Sequence, residues 1–313
     1  MRARNYLLAV LMCASFGATA KDKAFRVPRL SDGHPDMQGM WTLSNLTQLE
    51  RPPGIDSLVI TAADVAKIKK EFENVIYDPS KPADPPDFDD DRQVEPLHGE
   101  LRSSLIIDPP DGKLPVTALF RERSSSTAKL RPANAGPEDR RSGERCITGA
   151  PATAPMMSLP NSNLHQIVQT PSTIVIVSEF NHEARIVKMN ATHVPANIVS
   201  WLGDSTGRWD GDTLVVETKY FTPNDPLRKG PIFEFFISPR AVVVERFTMI
   251  SDNELSYVFY VDDPVYYTRP WTGENHFLRT HELMYEYACH EGNYSLEGIL
   301  RGARAQDATD DKR

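Results

Sequence analysis

From Leu164 onward the chain breaks into short runs rich in Val, Ile, Thr, Tyr and Phe, separated by Gly, Asp, Asn and Pro. The runs recur at intervals of about ten residues, which calls for a sheet of short strands rather than long helices. Strands are expected at 165–169, 173–180, 184–189, 207–209, 213–220, 242–250, 255–261 and 282–288. Asp210-Gly211 and Asp252-Asn253 are hairpin-type turns. Successive strands joined by short turns favour an antiparallel meander, and unpaired edges favour closing it. The expected fold is all-β: an antiparallel meander closing into a lipocalin-like barrel, with one N-terminal helix and a C-terminal helix packed on the sheet.

The N-terminal half is less regular. Residues 1–20 carry a basic start (Arg2, Arg4), a short apolar run and Ala18-Thr19-Ala20, the pattern of a secretory signal cleaved after Ala20. A periplasmic or secreted protein is expected. No later stretch is apolar for the ~18 residues a membrane helix needs, so no span is expected in the mature chain. Residues 21–160 form an irregular N-terminal part. Within it, 61–72 is a helix capped by Thr61 and Asp64, with Val65, Ile68 and Phe72 on one face. Residues 78–96 are an acidic, proline-rich exposed loop, and Leu105, Ile106 and Ile107 a short strand. Residues 121–145 read as charged and irregular. Residues 161–313 hold the barrel and a final helix over 294–305, capped by Asn293, whose apolar face is Leu296, Ile299, Leu300 and Ala303. The two parts read as one domain.

Net charge is −8 and the basic residues are scattered, which argues against a nucleic-acid partner. Only Cys146 and Cys289 remain after signal cleavage. In an oxidising compartment two cysteines favour one disulfide, worth ~4 kcal/mol by the chain-entropy model for so long a loop. The sequence contains no G-x-S-x-G, H-E-x-x-H, paired C-x-x-C or dinucleotide fingerprint. No cofactor and no metal are expected.

Candidate chemistry gathers at three places. In the turn between 173–180 and 184–189, Glu179 is expected opposite Arg185, and His182 stands at the tip as an acid or base suited to neutral pH. The structural alternative is a cross-strand ion pair beside a solvent-facing histidine. Strand alternation over 282–288 puts Glu286 and His290 on one face and Tyr287 on the other. Capping of the last helix would equally account for His290. Around Asp262-Asp263-Pro264, the residues Tyr267, Arg269 and Trp271 suit the mouth of a small-molecule site, although turn formation explains the acidic pair without a ligand. The run from Gly203 to Asp212 is read as turn chemistry.

The segments 32–36 with Gly39 and Trp41, 104–115, 136–146, 166–185, 201–221, 244–247, 261–272 and 285–303 resemble an uncharacterised family of secreted bacterial proteins frequent in acidobacteria and some proteobacteria. The resemblance spans nearly the whole mature chain. It implies a single intact domain without a grafted cofactor motif, and no particular reaction.

The functional expectation is a secreted enzyme performing cofactor-independent acid–base chemistry, of lyase, dehydratase or isomerase type, on a small partly apolar molecule held in the barrel cavity. Glu179, His182, Glu286 and His290 are the acid and base candidates, Arg185 the group that steadies developing negative charge, and Tyr267, Arg269, Trp271 and Tyr287 the binding residues. The alternative is a non-catalytic carrier for a lipid, aromatic or sugar. A metal-dependent hydrolase needs three converging ligands, which the expected strands do not gather.

Overall fold

The computed structural model describes residues 25–310 except 46, 77–93, 95, 130–135, 160 and 225. The expected signal segment and most of the acidic loop over 78–96 lie outside the described residues.

Nine strands close into a barrel in the described residues. They are β1 (Gly39–Thr42), β3 (Leu164–Gln169), β4 (Thr173–Ser178), β5 (Ala184–Met189), β6 (Asp204–Asp210), β7 (Thr213–Lys219), β10 (Val242–Met249), β11 (Glu254–Asp262) and β12 (Trp271–Arg279). Closure falls on β1. Its Trp41 pairs with His165 of β3 on one side and with Arg279 of β12 on the other. β2 (Ile106–Asp108) extends the sheet beside β12, and β8 (Leu227–Gly230) pairs with β9 (Phe233–Phe236) as a separate hairpin. All pairings are antiparallel except β5–β6, which is parallel, so the barrel is mixed rather than a pure meander. The departure arises at residues 190–203, which run back along the outside before β6 begins. A parallel neighbour requires such a return, whereas a hairpin does not.

The hairpin expected at Asp210-Gly211 is present, with Asp210 opposite Thr213 and Gly211 at φ 59°, a left-handed conformation that glycine adopts without Cβ strain. The run from Gly203 to Asp212, read as turn chemistry around a short strand at 207–209, instead supplies the whole of β6. The strand expected over 282–288 is not formed. The last strand is β12, whose alternating inward residues Trp271, Gly273, Asn275 and Phe277 sit in a run with few β-branched residues and Pro270 before it.

Three helices accompany the barrel in the described residues: α1 (Ala62–Ile76), α2 (Ala118–Lys129) and α3 (Tyr294–Asp310). The capping box of α1 is made as expected. Thr61 Oγ1 accepts from the Asp64 N–H at 3.3 Å and Asp64 accepts from the Thr61 N–H at 3.1 Å. α2 occupies a stretch read as irregular. Its polar sequence hides one anchor, Phe120, which packs edge-on to Phe236 of β9 at 5.0 Å. α3 begins at its expected cap, the Asn293 side chain accepting from the Leu296 N–H. The helix is not packed on the sheet: Leu296, Ile299, Leu300 and Ala303 are all half-exposed. No described helix is long and apolar enough to cross a membrane.

The interior is filled by side chains. Phe247, Tyr257, Phe259, Trp271 and Phe277 interlock, with Phe259 edge-on to Trp271 at 5.8 Å and Tyr257 edge-on to Phe277 at 5.3 Å. Removing one such ring costs about 3–5 kcal/mol. The chain itself provides the rest. Residues 150–158, expected as coil, are buried throughout and enter the barrel between the Cys146 turn and β3. The Met156 N–H donates to Tyr257 Oη at 2.8 Å, and Ser158 Oγ donates to the Leu43 carbonyl. A wide barrel is stabilised by such a filler, because voids forfeit contacts on every lining atom.

Candidate functional site

Arg185 does not meet Glu179. In the β4–β5 pairing it stands beside Ile176, and its side chain points into the barrel. There it donates to both oxygens of Glu245 on β10, at 2.8 and 3.1 Å, with Tyr257 Oη donating to the same carboxylate at 2.6 Å. Arg185 is 2 % exposed and Glu245 wholly buried. Burial and the Glu245 charge hold the Tyr257 phenol well above its ordinary range. His165 lies in the same interior, its two ring nitrogens 2.9 Å from the carbonyls of Asn163 and Pro151. Burial pulls its pKa down to about 4, although both carbonyls favour the charged form. This cluster cross-braces β5 against β10 and is sealed by the 150–158 segment.

The accessible chemistry lies one turn away, at the barrel end where β4 passes into β5. Residues Phe180–His182 form a 3-10 turn there in place of the simple hairpin expected, with Asn181 and His182 at positive φ. The turn carries Glu183 toward the segment after Arg141. Thr148 Oγ1 donates to Glu183 at 2.6 Å, and the Gly149 N–H also donates to it. Burial dominates these bonds and the nearby Arg228 charge, and raises the Glu183 pKa to about 7. A cleft of about 180 Å³ opens against Thr148, with Glu183 behind that hydroxyl and outside the lining. Thr148 and Gly149 form part of its wall, Phe180, Leu159 and Leu227 its apolar lining, and Arg141, Arg228 and Lys229 its cationic side. Gly149 is required by close approach, since a Cβ there would fall 2.3 Å from the Phe180 ring. The segment that carries Thr148 is tied to the C-terminal part of the chain by the Cys146–Cys289 disulfide, which is formed as expected.

The other expected site residues fall into three groups. His182 and Glu179 face the C-terminal segment: the Tyr285 carbonyl is 3.0 Å from His182 Nε2, and the Tyr285 N–H donates to Glu179. Tyr287 packs against Phe180 with ring centroids 4.8 Å apart. Glu286 borders an open depression of about 390 Å³, shared with Gly143, Glu144 and Tyr287, while His290 is exposed in the turn before α3. The facing of Glu286 and His290 by strand alternation does not arise, because 282–288 is not a strand. Tyr267 and Trp271 are core residues rather than a mouth. Tyr267 Oη donates to the Phe236 carbonyl at 2.8 Å, and Trp271 is wholly buried among aromatic rings. Arg269 is exposed and paired with Asp108. Asp263 makes the turn, accepting from the Ser238 N–H, the Ser238 hydroxyl and the Val265 N–H.

Sequence reasoning passed over Glu183 in favour of its neighbours in the same turn. It also passed over Arg141 and Thr148, which lie in the part read as irregular, and Arg228, which lies in a stretch assigned no element. Local pattern carries no signal for them, since the disulfide and the β8–β9 hairpin bring them together. Among the described residues no group of three His, Cys, Asp or Glu side chains is placed to hold a metal. No protein-family model, no curated protein and no solved structure matches the chain.

Proposed function

We propose that this protein is a secreted or periplasmic enzyme that moves a proton on a small, partly apolar molecule, with Glu183 and Thr148 as the acid–base pair. The observation that carries the reading is the Glu183 carboxyl, raised to about 7 and joined to an open cleft through the Thr148 hydroxyl. A group titrating near neutrality both takes and returns a proton at useful rates. The Thr148 hydroxyl, 2.6 Å from Glu183, stands in the cleft wall and passes that proton to the substrate. Phe180, Leu159 and Leu227 take the apolar part of the molecule. This reading puts the site at the end cleft rather than among the packed aromatic rings of the barrel interior.

The test is proton exchange in D2O. Small ketones, esters and acids carrying a proton beside the carbonyl are incubated with the protein and followed by NMR. Wild type is expected to exchange or convert at least one of them, and Glu183→Gln and Thr148→Val to slow this by about 10²-fold or more, the usual size of one acid–base group. Wild type that exchanges no compound faster than Glu183→Gln overturns the proposal.

A further inference from the structure

We infer that the end cleft is built for an organic carboxylate, whose acid group is read by Arg141 and whose body lies on Phe180 and Leu227. The inference rests on the end cleft being the substrate site, and names the class of molecule it takes.

The cleft is cationic on an acidic protein. The chain as a whole carries a net charge of −8, yet the cleft lining holds Arg141, Arg228 and Lys229 with one carboxylate, Glu144, and Glu183 behind Thr148. Glu144 is already bonded to Arg140 at 2.9 Å, and Lys229 to Glu234. A small cationic concavity on an acidic surface concentrates anions from solution.

Arg141 supplies the specific donor. Its guanidinium is half-buried and has no hydrogen-bond or ion-pair partner among the described residues. Its backbone is fixed on both sides, the Arg141 N–H bonding Glu144 and the Arg141 carbonyl accepting from the Arg145 N–H at 3.2 Å. A guanidinium held at a cleft wall with its donors unused matches a carboxylate, which accepts two parallel N–H bonds from it. Arg228 on β8, 4 % exposed, lines the same cleft and is itself already partnered, which leaves Arg141 as the donor for a ligand.

The lining selects an organic anion over an inorganic one. Phosphate or sulfate would leave Phe180, Leu159, Leu227 and Ala150 facing an empty apolar half. A carboxylate with an aromatic or aliphatic body covers them, and the modest volume limits that body to a small one. Bound negative charge also penalises ionised Glu183, so binding is accompanied by proton uptake near neutral pH.

Calorimetric titration with benzoate, benzamide and inorganic phosphate tests the inference. Benzoate is expected to bind one per chain, and at least tenfold more tightly than benzamide or phosphate. Arg141→Gln weakens it about tenfold or more while leaving the thermal unfolding midpoint unchanged, and Arg141→Lys falls between. Proton uptake, read from the buffer dependence of the heat, disappears in Glu183→Gln. Benzamide or phosphate binding as tightly as benzoate overturns the inference, as does benzoate binding indifferent to Arg141. Tight benzoate binding without proton exchange on any compound overturns the acid–base proposal alone. Exchange of neutral ketones without benzoate binding overturns the carboxylate inference alone.

Discussion

Glu183 and His165 titrate in opposite senses, and their effects on stability offset each other. Folding raises Glu183 from 4.5 to about 7, so its contribution is fully present below pH 4.5 and is lost as pH rises through about 7. Folding lowers His165 from 6.5 to about 4, so its contribution is present above pH 6.5 and is lost as pH falls toward about 4. Each effect is up to ~3 kcal/mol, since a tenfold change in proton affinity corresponds to ~1.4 kcal/mol. Wild type is therefore expected to show a shallow stability profile between pH 4.5 and 6.5. Glu183→Gln exposes the His165 limb, with urea midpoints that climb with pH across this window. A Glu183→Gln profile as flat as wild type would show that one of the two groups does not titrate as described.

Among the elements, α3 and the strap before it depend on the disulfide more than on packing. The helix buries none of its apolar residues, and its first turn is tied down by Asn293, which donates to the Glu144 carbonyl at 2.8 Å. Cys146 and Cys289 are 143 residues apart in sequence, a separation for which the chain-entropy model gives about 4–5 kcal/mol. Reduction, or Cys146→Ser with Cys289→Ser, is expected to lower unfolding free energy by a few kcal/mol. The tail beyond Thr280 should also become the first site of limited proteolysis. A tail equally protected before and after reduction would show that other contacts hold it. The return segment 190–203 is fastened differently. His193 bridges Asp204 at 2.8 Å and Glu217 at 3.1 Å, with Lys188 and Lys219 on the outer sides of those carboxylates. This network ties the one parallel connection to β6 and β7, and its lysines hold both carboxyls below their usual range.

For the molecule as a whole, the barrel is stabilised by what fills it. Arg185 and Glu245 join β5 to β10 through the interior, and the 150–158 segment leans on them through Met156, whose Sδ lies 3.8 Å from the Arg185 guanidinium. A buried pair contributes little over an apolar one, yet removing one partner strands a charge. Arg185→Met is expected to cost about 3–5 kcal/mol, and Arg185→Met with Glu245→Leu to recover most of it. Urea unfolding measures both. A double variant no more stable than the single would show that the pair does more than fill and brace. Because this cluster lies in the sealed interior, Arg185→Met is expected to leave benzoate affinity in the end cleft unchanged under conditions where the variant is folded.

The class of fold, several strand positions, the caps of α1 and α3 and the disulfide are legible in the residues alone. Each rests on short-range chemistry: alternation along a strand, a side chain bonding an N–H three residues on, or two cysteines in one chain. The same reading puts candidate residues in the β4–β5 turn and expects there a Glu179–Arg185 pair that is not made. Glu179 and Arg185 are neighbours by hairpin arithmetic, and only the 3-10 turn at Phe180–His182 and the inward pointing of Arg185 separate them. β12 and α2 are illegible because burial from distant elements, not local propensity, decides them. The parallel step at β6, the threading of 150–158 through the barrel and the meeting of Glu183 with Thr148 beside the cleft lined by Arg141 and Arg228 are set by closure. Closure brings together side chains far apart in sequence, and it is their burial, rather than any local spacing, that raises Glu183 and makes this end of the barrel the candidate site.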